Sequence, residues 1–233
     1  MDPRYNGTIT QRAEGGLQAF MAQVYGWMTC GLLLTGVTAW MVPGTALQAF
    51  IFSSNITFYG LIIAQLGVVF FLSGMVSRIS GAMATTLFML YSVLTGLTLS
   101  SVFIVYTSAS IASTFFITAG TFGAMSVYGY TTKRDLTKLG SLMVMGLIGI
   151  LLASIVNIFL KSAPLYWAIT YIGVIVFVGL TAYDTQKLKA IGESASMDDR
   201  ESYRKNSIMG ALTLYLDFIN LFLMLLRILG DRR

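Results

Sequence analysis

Two aspartates and one arginine occupy positions where an apolar chain does not easily tolerate charge. Asp217 lies inside the apolar stretch LTLYLDFINLFLMLLRIL, and Asp184 and Arg78 each end another long apolar stretch. An Asp at the centre of a membrane helix costs about 2.5 to 3.5 kcal/mol, so such a residue indicates a functional site with a partner elsewhere in the chain. Paired carboxylates can share a proton, and their oxygens can bind a divalent cation.

The composition excludes most other chemistry. The chain has no histidine, which removes histidine-based zinc sites, Ser-His or Cys-His catalysis and histidine pH switches. Its single cysteine, Cys30, cannot form an intrachain disulfide. An aspartyl intramembrane protease would need a GxGD context, which the last apolar stretch lacks. We therefore expect neither enzymatic activity nor a tightly bound cofactor.

The elements that position these charges are membrane helices. Hydrophobic residues make up 56% of the chain and charged residues 11%, against about 25% charged in soluble domains. Taking about 20 residues per crossing predicts an all-α membrane protein with seven spans. They lie near residues 20–42, 56–77, 82–107, 113–130, 141–160, 165–183 and 207–229.

This pattern predicts a single transmembrane domain over residues 17–229. A cytoplasmic tail precedes it at residues 1–16, and a short external tail follows at 230–233. The first apolar run is too long for a removable signal peptide. The net charge of +5 does not indicate nucleic-acid binding, because the basic residues fall between the apolar stretches.

Lysine and arginine are distributed unequally between the two sides. Eleven of the fifteen fall on the side of the N-terminus, and the other four are Lys161, Arg227, Arg232 and Arg233. Loops rich in these residues stay in the cytoplasm, so we predict a cytoplasmic N-terminus and an external C-terminus.

This topology places Asp184, Asp217 and Arg78 in the cytoplasmic half of the membrane. Asp217 is predicted to be the deepest, about 15 Å into its helix. Helical spacing predicts that polar side chains share the faces of the two aspartates: Thr181 on the sixth span, and Thr213 and Asn220 on the seventh.

Two interpretations of these charges remain open. Asp184 and Asp217 could share a proton and titrate as a unit, with Arg78 as the counter-charge, and the two carboxylates could bind a divalent cation when the proton leaves. Alternatively, Asp217 and Arg78 form a buried ion pair that only fixes the helix register, while Asp184 extends to the cytoplasm.

The stretches GLTAYDTQKLK, LYLDFINLFLMLLR and GLTLSSVF resemble the transmembrane Bax inhibitor motif family, also called the Bax inhibitor one family, in its bacterial branch. The resemblance implies a seven-helix fold whose last helix is central and enclosed by the other six. It also implies a di-aspartyl pH sensor at Asp184 and Asp217, held by an arginine that corresponds to Arg78.

Arg227 corresponds to a further arginine of the family pattern, a candidate gate or latch. In that pattern the arginine pairs with an acid on the second helix, but residues 56–77 contain none. As a function, the resemblance implies a pH-sensitive calcium leak in the bacterial inner membrane, with the lipid bilayer, Ca²⁺ and protons as partners. The alternative is a regulatory membrane protein that binds a membrane protease or another membrane complex without transporting ions.

Overall fold

Helices account for all the regular structure in the described part of the chain. The computed structural model describes residues 3–194 and 199–233, with the side chains of residues 3–14 left out. An isolated bridge between Tyr106 and Arg232 is the only pairing of extended backbone within these ranges. The helices are α1 (Pro3–Met41), α2 (Ala46–Phe52), α3 (Asn55–Met75), α4 (Gly81–Val105), α5 (Ser108–Thr131), α6 (Thr137–Leu160), α7 (Ala163–Ser194) and α8 (Arg200–Leu229).

Seven of these helices are long and apolar enough to cross a membrane, as predicted. The all-α, seven-span class is therefore confirmed for the residues described. The seven-residue helix α2 was not predicted. It follows a turn at Gly44, whose φ is +82°, and Thr45 caps it by accepting a hydrogen bond from the backbone N–H of Gln48.

Two predicted boundaries are wrong. The sixth span was predicted to end at residue 183, but α7 continues to Ser194, because the following residues include good helix formers and Leu188 is buried. The last helix was predicted to begin at residue 207, but α8 begins at Arg200, where Asp199 accepts a hydrogen bond from the Ser202 N–H. Helix α1 begins at Pro3, within the predicted cytoplasmic tail, and the location of that tail stays a prediction.

The helices form two compact units. The first comprises Met1–Val105 and Lys189–Tyr215. Here α1 packs along α4, and a Cβ on Gly96 would lie 2.6 Å from the Thr38 side chain, so only glycine permits this approach. Tyr215 is fully buried, and its hydroxyl bonds Thr35 Oγ1 at 2.6 Å, while Thr35 donates to the Ser92 carbonyl at 2.8 Å.

The start of α8 packs against the start of α4 in the same unit. The Glu201 carboxylate accepts a hydrogen bond from the Gly81 N–H, and Arg204 donates to Thr85 at 3.2 Å. Lys205 pairs with Glu201 at 3.9 Å, one turn apart on α8. These contacts explain why a strongly charged segment is folded as helix.

The second unit comprises Tyr106–Leu188 and Leu216–Arg233. It contains a core drawn from α6, α7 and α8, whose members are Met143, Ile150, Ile169, Val176, Phe177, Leu180, Leu221 and Met224.

Helix α8 contributes residues to both units and is the most buried of the seven spans. Buried residues make up 61% of the most apolar 18-residue segment of α8, against 6% for the corresponding segments of α3 and α6. The resemblance had implied that the last helix is the enclosed one, and the burial agrees with this. An acidic residue on α8 is therefore shielded by protein.

Candidate functional site

Asp217 is the most buried acidic residue that the structure describes. It lies seventeen residues after the first residue of α8, and its side chain is 5% exposed. Its Oδ2 atom has no hydrogen-bond partner among the described residues. A buried oxygen left unpaired costs about 1 to 3 kcal/mol, and more if it is charged. An ionised Asp217 is therefore costly in this position, and its role as a functional site stays a prediction.

The nearest charged neighbour of Asp217 is Asp184. Its side chain is partly buried on α7, and the two carboxyl groups lie close enough for a hydrogen bond between them. An ionised carboxylate only accepts hydrogen bonds, so a bond between two carboxyl groups needs a proton on one of them. The structure thus brings together the two aspartates that the sequence singled out.

Close contacts fix α7 beside Asp184. A Cβ on Gly129 of α5 would lie only 2.2 Å from the Ala182 carbonyl oxygen, so the two backbones touch. Thr185, next to Asp184, donates to Ser126 of α5 at 3.5 Å. Small residues permit close helix packing in lipid, and here Gly129 and Ser126 bring α5 against the part of α7 that carries Asp184.

Two hydrogen bonds of the Gln186 side chain add to these contacts, two residues after Asp184. The Gln186 side chain accepts a hydrogen bond from the Leu136 N–H and donates to the Arg134 carbonyl, both at 2.8 Å. Gln186 thereby ties α7 to the connection between α5 and α6.

Aromatic packing fixes α8 beside Asp217. The Phe218 ring lies 5.5 Å from the rings of both Phe115 and Phe122, in edge-to-face arrangements. Such pairs contribute about 0.5 to 1.5 kcal/mol beyond the burial of their area. Leu214 and Leu221, one turn before and one turn after Asp217, are fully buried. The carboxyl group therefore projects from a rigid apolar helix.

The polar side chains that were predicted to share the faces of the two aspartates donate hydrogen bonds to the helices that carry them. Thr181 donates to the Phe177 carbonyl at 2.7 Å, and Asn220 donates to the Leu216 carbonyl at 2.8 Å. Thr213, which belongs to the first unit, donates to the Met209 carbonyl at 3.0 Å. Their role in a cation path stays a prediction.

Arg78 and Lys187 are the cations to consider as counter-charges. Arg78 lies in the turn after α3, in the first unit, and its side chain is exposed, so its predicted role stays a prediction. Lys187, one turn after Asp184 on α7, is near enough to act electrostatically on the Asp184 carboxylate. Asp184 and Lys187 are spaced i, i+3 on a helix, and this spacing in the sequence could have identified Lys187 as a neighbouring cation.

Arg227 is held by an aromatic ring. Its guanidinium lies 5.2 Å from the centre of the Tyr166 ring, a cation–π contact, and its Nη1 approaches Met224 Sδ at 3.9 Å. In the described ranges, the only ion pair within 4 Å joins Lys205 to Glu201. The proposed latch function of Arg227 has not been tested, but its described partner is a tyrosine.

An apolar layer follows the carboxylate pair along both helices. Leu221 and Met224 come after Asp217 on α8, while Leu180 and Phe177 come before Asp184 on α7, and all four belong to the buried core. The layer spans about 15 Å along α8 before Arg227 is reached. This layer is therefore apolar and buried.

The carboxylate oxygens suit a hard divalent cation, but two side chains do not complete its shell. Ca²⁺ takes six to eight oxygen ligands. No group of three or more acidic, cysteine or histidine side chains that could hold a metal occurs in residues 15–194 and 199–233, where side chains are described. Two carboxylates alone would therefore leave most of the ligand positions of a Ca²⁺ ion to water.

Comparison with known proteins gives consistent matches over nearly the whole chain. Residues 17–233 match the family described as "Inhibitor of apoptosis-promoting Bax1". The chain is 63% identical to the inner membrane protein YbhL of Escherichia coli K12, covering 99% of this chain and 98% of the relative. It is 50% identical to an uncharacterised protein of Borreliella burgdorferi, over 92% of each chain, and 46% identical to the Rickettsia prowazekii protein RP147, over 98% of each.

Proposed function

Since the chain belongs to the family of inhibitors of apoptosis-promoting Bax1, we propose that it is a pH-sensitive calcium leak of the bacterial inner membrane, gated by a proton shared between Asp184 and Asp217. Membership confirms the resemblance carried by the LYLDFINLF and AYD segments. The name of the Escherichia coli relative supports the inner-membrane location.

The observation that carries this proposal is the contact between the two carboxyl groups. They come from different helices, one is almost fully buried, and an oxygen of that one has no described partner. The described residues supply no N–H or hydroxyl donor to that oxygen, so a proton or a cation held together with Asp184 would satisfy it.

Loss of the shared proton supplies the force for opening. Two unit charges about 4 Å apart repel by about 4 kcal/mol at an effective dielectric constant of about 20. Separation of α7 from α8 relieves this repulsion, and so does entry of a divalent cation. A rising pH on the side of the membrane from which protons exchange with Asp184 therefore opens the calcium path, and a falling pH closes it.

The apolar layer beyond the pair is the closed gate in this mechanism. Its side chains, among them Leu180 and Leu221, exclude water, and hydrophobic constrictions stop ions by dewetting. Because Leu180 and Leu221 are each one turn from an aspartate, a shift of either helix disturbs this layer directly. Protonation of the aspartate pair thus controls whether water enters the neighbouring apolar layer.

Orientation follows from the lysine and arginine count. Eleven of the fifteen lie on the side of the N-terminus, so that side faces the cytoplasm and the C-terminus faces outward. The carboxylate pair then senses cytoplasmic pH. A cytoplasmic reporter that is active when fused after Arg233 would refute this orientation.

The test is calcium flux in liposomes. Purified protein is reconstituted into vesicles loaded with a calcium-sensitive dye, and Asp184→Asn and Asp217→Asn are each compared with the original protein. Both variants should lose most of the flux, because neither can form an ionised pair. Asp135→Asn is the matched control, since Asp135 is exposed and its carboxylate bonds only Thr137.

Unchanged flux in both variants would overturn the leak. The regulatory alternative, binding to a membrane protease or another membrane complex, would then be the better account. A large loss in the Asp135 variant would show that the assay responds to general damage.

A further inference from the structure

A positively charged cavity lies in the second unit, where α6 ends, α7 begins and α8 ends. Its volume is about 660 Å³, within the range of small-molecule sites. The lining carries three cations, Lys161, Arg227 and Arg232, and includes no acidic side chain. This concentration of one sign of charge is separate from Asp184 and Asp217 and is not used in the proposed leak.

Aromatic rings orient the two arginines. The Arg227 guanidinium lies 5.2 Å from the Tyr166 ring centre, and that of Arg232 lies 5.9 Å from the Tyr106 ring centre. Arg232 also lies within hydrogen-bonding reach of the Tyr106 and Tyr166 side chains. A guanidinium has five N–H donors, so further donors on both arginines remain for an acceptor. These donors form the fork that binds phosphate and carboxylate groups in a bidentate manner.

The neighbouring acid does not neutralise these cations. The Oδ2 atom of Asp231 accepts a hydrogen bond from the Ser110 hydroxyl at 3.2 Å, and the Asp231 N–H donates to Ser110 Oγ at 3.0 Å. Within the described ranges, no ion pair within 4 Å joins Lys161, Arg227 or Arg232 to an acid. Their mutual repulsion is relieved by an anion in the cavity.

Further donors face the same space. The Asn157 side-chain oxygen caps the Ser162 N–H at 2.9 Å, which leaves the amide N–H groups of Asn157 for a ligand. Helix α7 begins at Ala163, also in the lining, and the start of a helix favours negative charge. Lys161 has a φ of +49°, a conformation usually taken by glycine, yet a cation is found there.

We propose that this cavity binds a phosphate-type oxyanion, either the phosphodiester headgroup of an anionic lipid or free phosphate. The two arginines hold its oxygens, and Lys161 contributes a further positive charge. Tyr166 and Trp167 provide an aromatic wall of the kind found at membrane–water interfaces. The inference does not depend on calcium transport.

Trp167 provides the readout. The chain has three tryptophans, so Trp27→Phe and Trp40→Phe leave Trp167 as the only one. In one arm, Trp167 fluorescence is compared in nanodiscs with increasing phosphatidylglycerol in phosphatidylcholine. In the other, protein in uncharged detergent is titrated with inorganic phosphate at an ionic strength matched with chloride. Saturation in the first arm alone identifies a lipid headgroup, and saturation in the second identifies free phosphate.

The cavity residues are tested by neutralisation. Arg227→Gln and Arg232→Gln should each raise the apparent dissociation constant about tenfold, as expected for loss of a charged hydrogen bond. Arg233→Gln removes a neighbouring charge outside the lining and should change it little. Arg227→Lys keeps the charge without the fork and should give an intermediate value, which separates ligand binding from folding.

Three results would overturn the proposal. The first is a lack of saturation with both probes. The second is an unchanged affinity after combined neutralisation of Lys161, Arg227 and Arg232. The third is a loss of affinity in Arg233→Gln equal to that in Arg227→Gln and Arg232→Gln. The last would show attraction to general surface charge.

Discussion

Asp184 on α7 and Asp217 on α8 carry neighbouring carboxyl groups, and the buried Oδ2 atom of Asp217 accepts no hydrogen bond from an N–H or hydroxyl group among the described residues. An ionised carboxylate only accepts hydrogen bonds, so the two carboxyl groups can bond each other only when one of them carries a proton. In the proposed leak, this proton leaves when the pH rises.

Replacing Asp217 with Asn should stabilise the folded protein at alkaline pH. The amide cannot ionise beside Asp184, so the repulsion that develops on deprotonation is absent. A gain of about 1 kcal/mol would raise the unfolding midpoint by about 2 to 4 °C for a chain of this size. Thermal unfolding in detergent at several pH values measures this gain, and a lower midpoint at every pH would contradict repulsion between the two ionised carboxylates.

The contact between α5 and α7 should tolerate no side chain at Gly129. An Ala there would place its Cβ 2.2 Å from the Ala182 carbonyl oxygen, so the helices must separate, at a cost of about 1 to 3 kcal/mol. Because Ala182 is two residues from Asp184, the pH response of flux should weaken as well.

Gly120→Ala is the matched control on the same helix. Its Cβ would meet nothing within 4 Å, so the change should be neutral or stabilising by up to about 1 kcal/mol. Equal destabilisation of the two variants would show that the close approach at Gly129 is unimportant.

The fold was predictable because apolar length alone identifies membrane helices. The errors occurred at the helix ends that polar residues form. Residues 186–206 have the composition of a loop, yet Glu201 bonds the Gly81 N–H and Arg204 bonds Thr85. These bonds join residues about 120 positions apart, and local sequence pattern does not reveal such contacts.

The candidate site was predictable in part. Asp217 could be singled out because a charge in an apolar stretch is costly, and the predicted topology placed Asp184 in the same half of the membrane. The contact of Arg227 with Tyr166 could not be foreseen, since it joins the last turn of α8 to the first turn of α7. The cationic cavity depends on that contact and was missed with it.

The buried hydroxyl contact at Tyr215 should stabilise the first unit modestly. Tyr215→Phe removes the bond to Thr35 but leaves Thr35 donating to the Ser92 carbonyl, so we expect a loss of about 0.5 to 1.5 kcal/mol. Unfolding by heat or denaturant measures it. Tyr59→Phe, at an exposed position, should change nothing, and an equal loss there would contradict the assignment.

Ser110 should hold the C-terminal residues in place. It bonds both the N–H and the carboxylate of Asp231, so Ser110→Ala should speed amide hydrogen exchange and carboxypeptidase cleavage at residues 230–233. Ser113→Ala is the control, because Ser113 bonds only the Ser110 carbonyl. Unchanged exchange in Ser110→Ala would show that other contacts hold this segment.

The most direct test of the central claim is calcium flux measured against pH in the same proteoliposomes. The original protein and Asp135→Asn should pass more calcium as pH rises from mildly acidic to mildly alkaline, because the shared proton leaves Asp184 and Asp217. In Asp217→Asn the flux should be low and independent of pH. A pH response in Asp217→Asn equal to that of the original protein would contradict the claim that this pair controls the path.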